Sequence, residues 1–198
     1  MKISEVACGI AMLIFSHTLL GQSSFIPYTA TTRETINNVD ESGKHSLIVN
    51  EGIKARTADG SSIEEVYQPE TKAPARGMLY NASEGVGYNL DFQQHTALGR
   101  DRRIGHIHPP KQQPIGHEVI GGVSATGYPM FDAQTKKVGG EIWIADGTDV
   151  IVKMKSTAPG GSTYTLELTD VKLREDPPSA LFKLPSSMSI SKPVHQQQ

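Results

Sequence analysis

The chain has 198 residues, a formal net charge of −2, 37% hydrophobic residues and 20% charged ones. That is enough for one ordinary domain with a sizeable core, and it excludes a disordered chain. Positive and negative residues are dispersed, with no basic stretch long enough to follow a phosphate backbone, so no nucleic acid is expected as a partner.

Residues 1–21 begin with Lys2, run almost continuously apolar from Val6 to Leu20, and reach the small residue Gly21. A positive start, a short apolar run and a small residue are the order of a secretory signal peptide, too short for a comfortable spanning helix. Export to the periplasm or out of the cell is therefore predicted, with an uncleaved N-terminal anchor as the main rival reading and a buried helix of the fold as a third. Cys8, the one cysteine, sits at the start of the apolar run and not at its end, where lipid attachment would require it. Cleavage near Gly21 leaves a domain that cannot use disulfides and is held by its core alone.

Nineteen glycines and twelve prolines predict many turns and short strands over residues 22–190. Leu47, Val49, Ile53 and Ala55 share one face of a run that ends at Asp59-Gly60, a strong hairpin dipeptide. Ser61 to Tyr67 reads as a strand or as one or two helical turns. Val86, Tyr88, Leu90 and Phe92 alternate with Gly87, Asn89 and Asp91, the cleanest period-2 pattern in the chain. Gly99 to Gly116 has no period and reads as a long exposed loop. A Val- and Gly-rich run follows from His117 to Phe131, then Ile142-Trp143-Ile144, a turn at Asp146-Gly147, and Val150, Val152 and Met154. After the turn at Ala158-Pro159-Gly160-Gly161, Tyr164, Leu166 and Leu168 alternate with polar residues, and the apolar phase then flips to Val171 and Leu173. Such a flip predicts a β-bulge or a change of buried face. Pro177 to Leu181 reads as a short helical turn, and residues 191–198 as a disordered polar tail. The fold class expected is mainly β: a single curved antiparallel sheet, an open half-barrel with little helix.

Residues suited to chemistry are few. His95, His106, His108 and His117 cluster in sequence, but Pro109-Pro110 follow the His-x-His pair and no carboxylate or cysteine beyond Asp101 and Glu118 sits at metal-ligand spacing, so they read as exposed loop histidines and no metal site is expected. Arg100-Asp101-Arg102-Arg103 reads as a solvated, internally paired cluster. Asp146 and Asp149 flank a turn glycine and read as turn formers. Asn81-Ala82-Ser83 matches a glycosylation sequon, a triplet too common to decide anything. No Gly-x-Ser-x-Gly elbow and no phosphate-cradling Gly-rich loop occurs, so no catalytic residue and no cofactor is expected.

Three segments carry a resemblance to exported bacterial proteins of unassigned function. They are Gly116-His-Glu118-Val-Ile-Gly-Gly122-Val123-Ser-Ala125-Thr-Gly127, then Glu141-Ile-Trp143-Ile-Ala, then Pro178-Ser-Ala-Leu181-Phe182-Lys-Leu-Pro185. The resemblance spans roughly residues 44 to 190. More remotely, the strand order, the Trp-bearing hairpin and the closing Phe-x-x-Pro look like the lipoprotein-carrier (LolA/LolB-like) fold group. That resemblance implies a highly curved antiparallel half-barrel whose concave apolar face is covered by helices and holds acyl chains. This chain departs from it in having little helix to form a cover.

Together these readings lead to a non-enzymatic exported binding protein whose concave face accepts a lipid or another apolar small molecule. Tyr88, Leu90, Trp143, Val152 and Leu166 are the expected lining residues, with ordinary core packing as their alternative role. The other classes in view are an envelope sensor or interaction module that recognises an envelope protein, and a hydrolase without a recognisable motif.

Overall fold

A computed structural model describes residues 24–40, 42–101, 105–131, 136–158 and 160–191. The leader at 1–21, Arg102 and Arg103, Pro159 and the tail from 192 onward lie outside the described residues. Among the described residues there are twelve strands in one sheet and one short 3-10 turn. The expected single curved sheet with little helix is what forms.

Two meanders build the sheet. The first is β1 (Tyr28–Val39), β2 (His45–Arg56), β3 (Ser62–Tyr67), β4 (Pro74–Asn81), β5 (Val86–Asp91) and β6 (Thr96–Asp101). The second is β7 (Gly116–Ile120), β8 (Val123–Phe131), β9 (Val138–Ala145), β10 (Ile151–Thr157) and β11 (Thr163–Leu173). A last short strand, β12 (Ser189–Ser191), follows them. The spatial order is β12-β6-β5-β4-β3-β2-β1-β11-β10-β9-β8-β7, so the meanders are joined by the antiparallel pairing of β1 with β11. The Asp59-Gly60 and Asp146-Gly147 turns fall at the ends of β2 and β9 as expected, and the segment from Ser62 to Tyr67 is a strand.

The phase flip near Thr169 is a bulge. Thr29 lies opposite Lys172 and Thr31 opposite Thr169, so Asp170 and Val171 together face Ala30. Asp170 takes the left-handed backbone conformation that this needs, with φ 51°, and a bulge of this kind sharpens the local twist. The second meander also curls until its far edge meets its start: the Val171 N–H donates to the Gly121 carbonyl at 3.0 Å, across three intervening strands. The enclosed space is a core of Tyr28, Ala30, Ile120, Ala125, Val152 and Leu168, with Trp143 at its side.

The first meander cannot enclose itself, and one of its faces is covered by the C-terminal segment. Ala55, Ile63, Leu79, Tyr88 and Ala97 form a second core there, closed by Met188 and by half-buried Leu181, Phe182 and Leu184. The turn at Ser179–Phe182 matches the expected helical turn after Pro177-Pro178. Two differences stand out. The polar stretch near the C-terminus contains β12, which pairs with β6 in parallel, unlike the antiparallel remainder. The stretch read as a loop from Gly99 begins inside β6, where Gly99 and Arg100 pair with Tyr88 and Gly87.

Trp143 is 5% exposed, and its indole lies on Gly127 of β8, where a Cβ would come within 2.8 Å of the ring. A bare glycine across from an aromatic ring is a recurrent way of seating the ring on a sheet. Gly127→Ala should therefore lower stability by about 1–3 kcal/mol by overpacking, and Trp143→Ala by about 3–5 kcal/mol. In the double variant the Gly127→Ala cost should vanish, because the clashing ring is gone. Urea unfolding of the four proteins checks this, and additive losses would contradict the packing.

Candidate functional site

Antiparallel pairing places directly opposed residues on the same face, so the register builds the site row by row. Tyr28, Arg56 and Ser62 form one row across β1, β2 and β3. Ala30, Lys54, Glu64 and Met78 form the next, ending on β4. Glu34 and Asn50 lie further along, with Leu166 and Met154 beside Glu34 on β11 and β10. Residues from both meanders line one cleft of about 330 Å³, which identifies this as the concave face. The cleft has an apolar wall that includes Val150, Ile151, Met154 and Leu166, and a charged wall of Lys54, Arg56, Glu64 and Asp149.

A buried ion pair closes its deep end. The Arg56 guanidinium donates to the Asp149 carboxylate and, at 3.0 Å, to the Ile26 carbonyl. The two side chains are only 9% and 11% exposed. Asp149 is thus not a turn former; that role stays with Asp146-Gly147. His106 Nδ1 lies 3.2 Å from the second Asp149 oxygen, and its ring stacks on Phe25 with centroids 4.0 Å apart. Arg56 packs over the rings of Phe25 and Tyr28 at 4.9 and 5.4 Å, a desolvated cation–π arrangement. Phe25 has room to do this because Gly60 sits beneath it: a Cβ there would fall 2.6 Å from the ring, and Gly60 also needs φ +94°.

This corrects the reading of His106 as an exposed loop residue. The connection from β6 to β7 must cross from one side of the sheet to the other, and His106 pins it over the cleft's deep end. Ile107, the next residue, then lines the cleft. His108 is exposed, as expected, and His117 is exposed on β7 near Thr126. No cluster of three or more metal-ligating side chains occurs among the described residues.

Lys54 and Glu64 face each other across β2 and β3 at 2.8 Å. Burial works against the Lys54 ammonium, but Tyr28, Glu64 and Glu34 together hold its pKa above the ordinary lysine value. Glu34 is 9% exposed and receives Asn50 Nδ2 and the Tyr164 hydroxyl, each at 3.2 Å, with Arg76 at 3.6 Å. Burial, and then the Glu34 charge, push the Tyr164 phenol up to about 12.

Of the residues expected to line a ligand site, Leu166 lies on the cleft. Leu90 borders an adjoining hollow shared with Glu34, Glu64, Arg76 and Met78, and it also belongs to the second core. Tyr88, Trp143 and Val152 sit in the two cores. Sequence reasoning passed over Tyr28, Lys54, Arg56 and Glu64, and gave Asp149 a turn role instead. For Tyr28, Lys54 and Arg56 the one signal is the inward phase of β1 and β2, which carries charges where a core strand would carry aliphatics.

No protein-family model matches the chain, and no characterised protein matches it. Solved structures do share its fold. An uncharacterized conserved protein from Thermus thermophilus aligns over 87% of this chain and 92% of its own, with 11% identity and a TM-score of 0.57. A chain of the Pseudomonas aeruginosa MucA/MucB complex aligns over 84% of this chain and 58% of its own, with 13% identity and a TM-score of 0.53. This chain thus spans under two thirds of that protein's length. A LolA superfamily protein from Nitrosomonas europaea superposes more loosely, over 79% of this chain and 90% of its own, with 10% identity and a TM-score of 0.41. At these identities the likeness concerns the fold and not the chemistry.

Two outcomes test the site's electrostatics. Arg56→Met should cost about 3–5 kcal/mol in urea unfolding, because it leaves the buried Asp149 charge with His106 alone beside it. The Tyr164 pKa is raised in the folded state, so its contribution is full below the ordinary tyrosine pKa of 10.0 and is lost as pH rises through about 12. Tyr164→Phe should flatten the fall in melting temperature across that window, and an unchanged slope would contradict the assignment.

Proposed function

We propose that the protein is an exported, non-enzymatic binding protein that holds a lipid chain or another apolar small molecule in the concave cleft. The observation that carries this reading is the cleft itself. Its volume of about 330 Å³ lies at the lower end of the range usual for small-molecule sites, roughly 300–1,000 Å³. One wall is apolar, and among the described residues no α-helix lies over it. Half-buried Met154 and the edge of buried Leu166 line it. Export rests on the leader read in residues 1–21. No helix among the described residues is long and apolar enough to cross a membrane.

The experiment is displacement of a fluorescent fatty-acid probe from purified, delipidated protein. Binding should be saturable at one site. It should fall on the order of tenfold or more in Met154→Trp, which fills the cleft, and in Ile107→Glu, which places a charge in its lining, both with wild-type melting curves. No saturable binding, or binding indifferent to both substitutions, would overturn the proposal.

A second reading, recognition of an envelope protein, draws on the end of the sheet where β2 begins and β8 runs into β9. Leu47, Ile48, Phe131 and Val138 are all exposed there. Apolar exposure of that kind marks contact surfaces, and the MucA/MucB likeness is to a protein in complex with another. A cysteine placed at Leu47 or Val138 should then be shielded from maleimide in intact envelopes and reactive in the purified protein. Equal reactivity in both would remove this reading.

A further inference from the structure

The charged wall of the cleft narrows the ligand's chemistry, on the footing that the cleft is the binding site just proposed. Four formal charges line it, Lys54 and Arg56 against Glu64 and Asp149, so it has no net sign to offer. The deeper pair is fully engaged: Arg56 serves Asp149 and the Ile26 carbonyl, while Asp149 also holds His106. The outer pair is different. Lys54 and Glu64 retain 30% and 26% side-chain exposure and border the cleft where β2 and β3 face Met78 and Met154. An ammonium has three donors and a carboxylate about four acceptor positions, so one mutual contact leaves capacity on both groups.

We infer that the cleft takes a single-chain zwitterionic amphiphile, with its chain along Met154 and Leu166 and its head group lying antiparallel to the Lys54–Glu64 pair. In that arrangement the head group's anion meets the Lys54 ammonium and its cation meets the Glu64 carboxylate. A purely anionic head group would gain Lys54 only by crowding Glu64, 2.8 Å from it, and a purely cationic one would crowd Lys54 in the same way. Like charges forced together in a partly desolvated cleft repel strongly. An uncharged head group avoids repulsion but replaces the displaced water only with neutral hydrogen bonds, weaker than the charge-assisted ones a zwitterion makes to both groups. At about 330 Å³ the cleft lies at the small end for a ligand site, which argues for one chain and not two.

Four dodecyl amphiphiles, used below their micellisation limits, test this by isothermal titration. They are dodecylphosphocholine, dodecanoate, dodecyltrimethylammonium and dodecyl maltoside. The phosphocholine should bind on the order of tenfold tighter than either singly charged probe, and tighter than the maltoside. Glu64→Gln should move the preference towards dodecanoate, and Lys54→Met towards dodecyltrimethylammonium, in proteins shown folded by their melting curves. Where one variant fails to fold, the wild-type series and the other variant decide. Tightest binding of dodecanoate or of the cationic probe by the wild type, or a ranking unmoved by either substitution, overturns the head-group assignment while leaving the cleft a binding site. Binding of none of the four overturns both.

Discussion

A twelve-stranded sheet has two faces to keep from water, and this chain supplies cover for little more than one. That constraint organises the rest. Over the second meander the sheet solves it by curling until the Gly121 turn meets β11, so that the strands enclose their own core. Over the first meander the segment from Pro177 to Met188 is laid across one face, with Leu181, Phe182 and Met188 inward. On the concave side the second meander's core takes in Tyr28 and Ala30 of β1, but the face of β2 to β4 receives neither treatment. The chain keeps it tolerable in water by placing the partly exposed Lys54 and Glu64 there, and it holds the buried Arg56 and Glu34 beside them through partners of their own.

Those charges are expensive to hold, and each is matched. Arg56 is buried only because Asp149, the Ile26 carbonyl and two aromatic rings replace its water. A buried pair of this kind adds little net stability over an apolar pair of similar volume, while breaking it is costly. Its effect here is positional. It ties the β9–β10 turn to the end of β2, a separation of 93 residues, and it fixes the height of the strap that carries His106 and Ile107.

Where local pattern and tertiary role agreed, the sequence was legible. The alternation from Val86 to Phe92, the glycine turns after β2 and β9, and the phase flip at Thr169 all follow from period-2 geometry, and each appears in the sheet. β1 was illegible for the opposite reason. It is a central strand, yet its buried side reads Tyr28, Ala30, Thr32, Glu34, which mimics an exposed surface. Asp149 looked like a turn residue because Asp146 and Gly147 are so near, and only a partner 93 positions away gives it another purpose. Histidine spacing said nothing about His106, whose surroundings come from the N-terminal end of the domain. Tyr88, Trp143 and Val152 illustrate the same limit from the other side: alternation identifies a buried face, but not whether a core or an open cleft lies beyond it.

The joining of the two meanders also bears on how the chain reaches this state. β1 is among the first strands to be made, and its second neighbour, β11, is among the last; Glu34 and Tyr164, which meet across that ladder, are 130 residues apart. Closing so long a loop before its contacts repay the entropy slows folding. Until β11 arrives, the first meander has a bare strand of twelve residues at its margin, able to pair with any passing chain. A newly made molecule is therefore most exposed to aggregation in the interval before its final third docks, and a chaperone acting on it would be needed at β1.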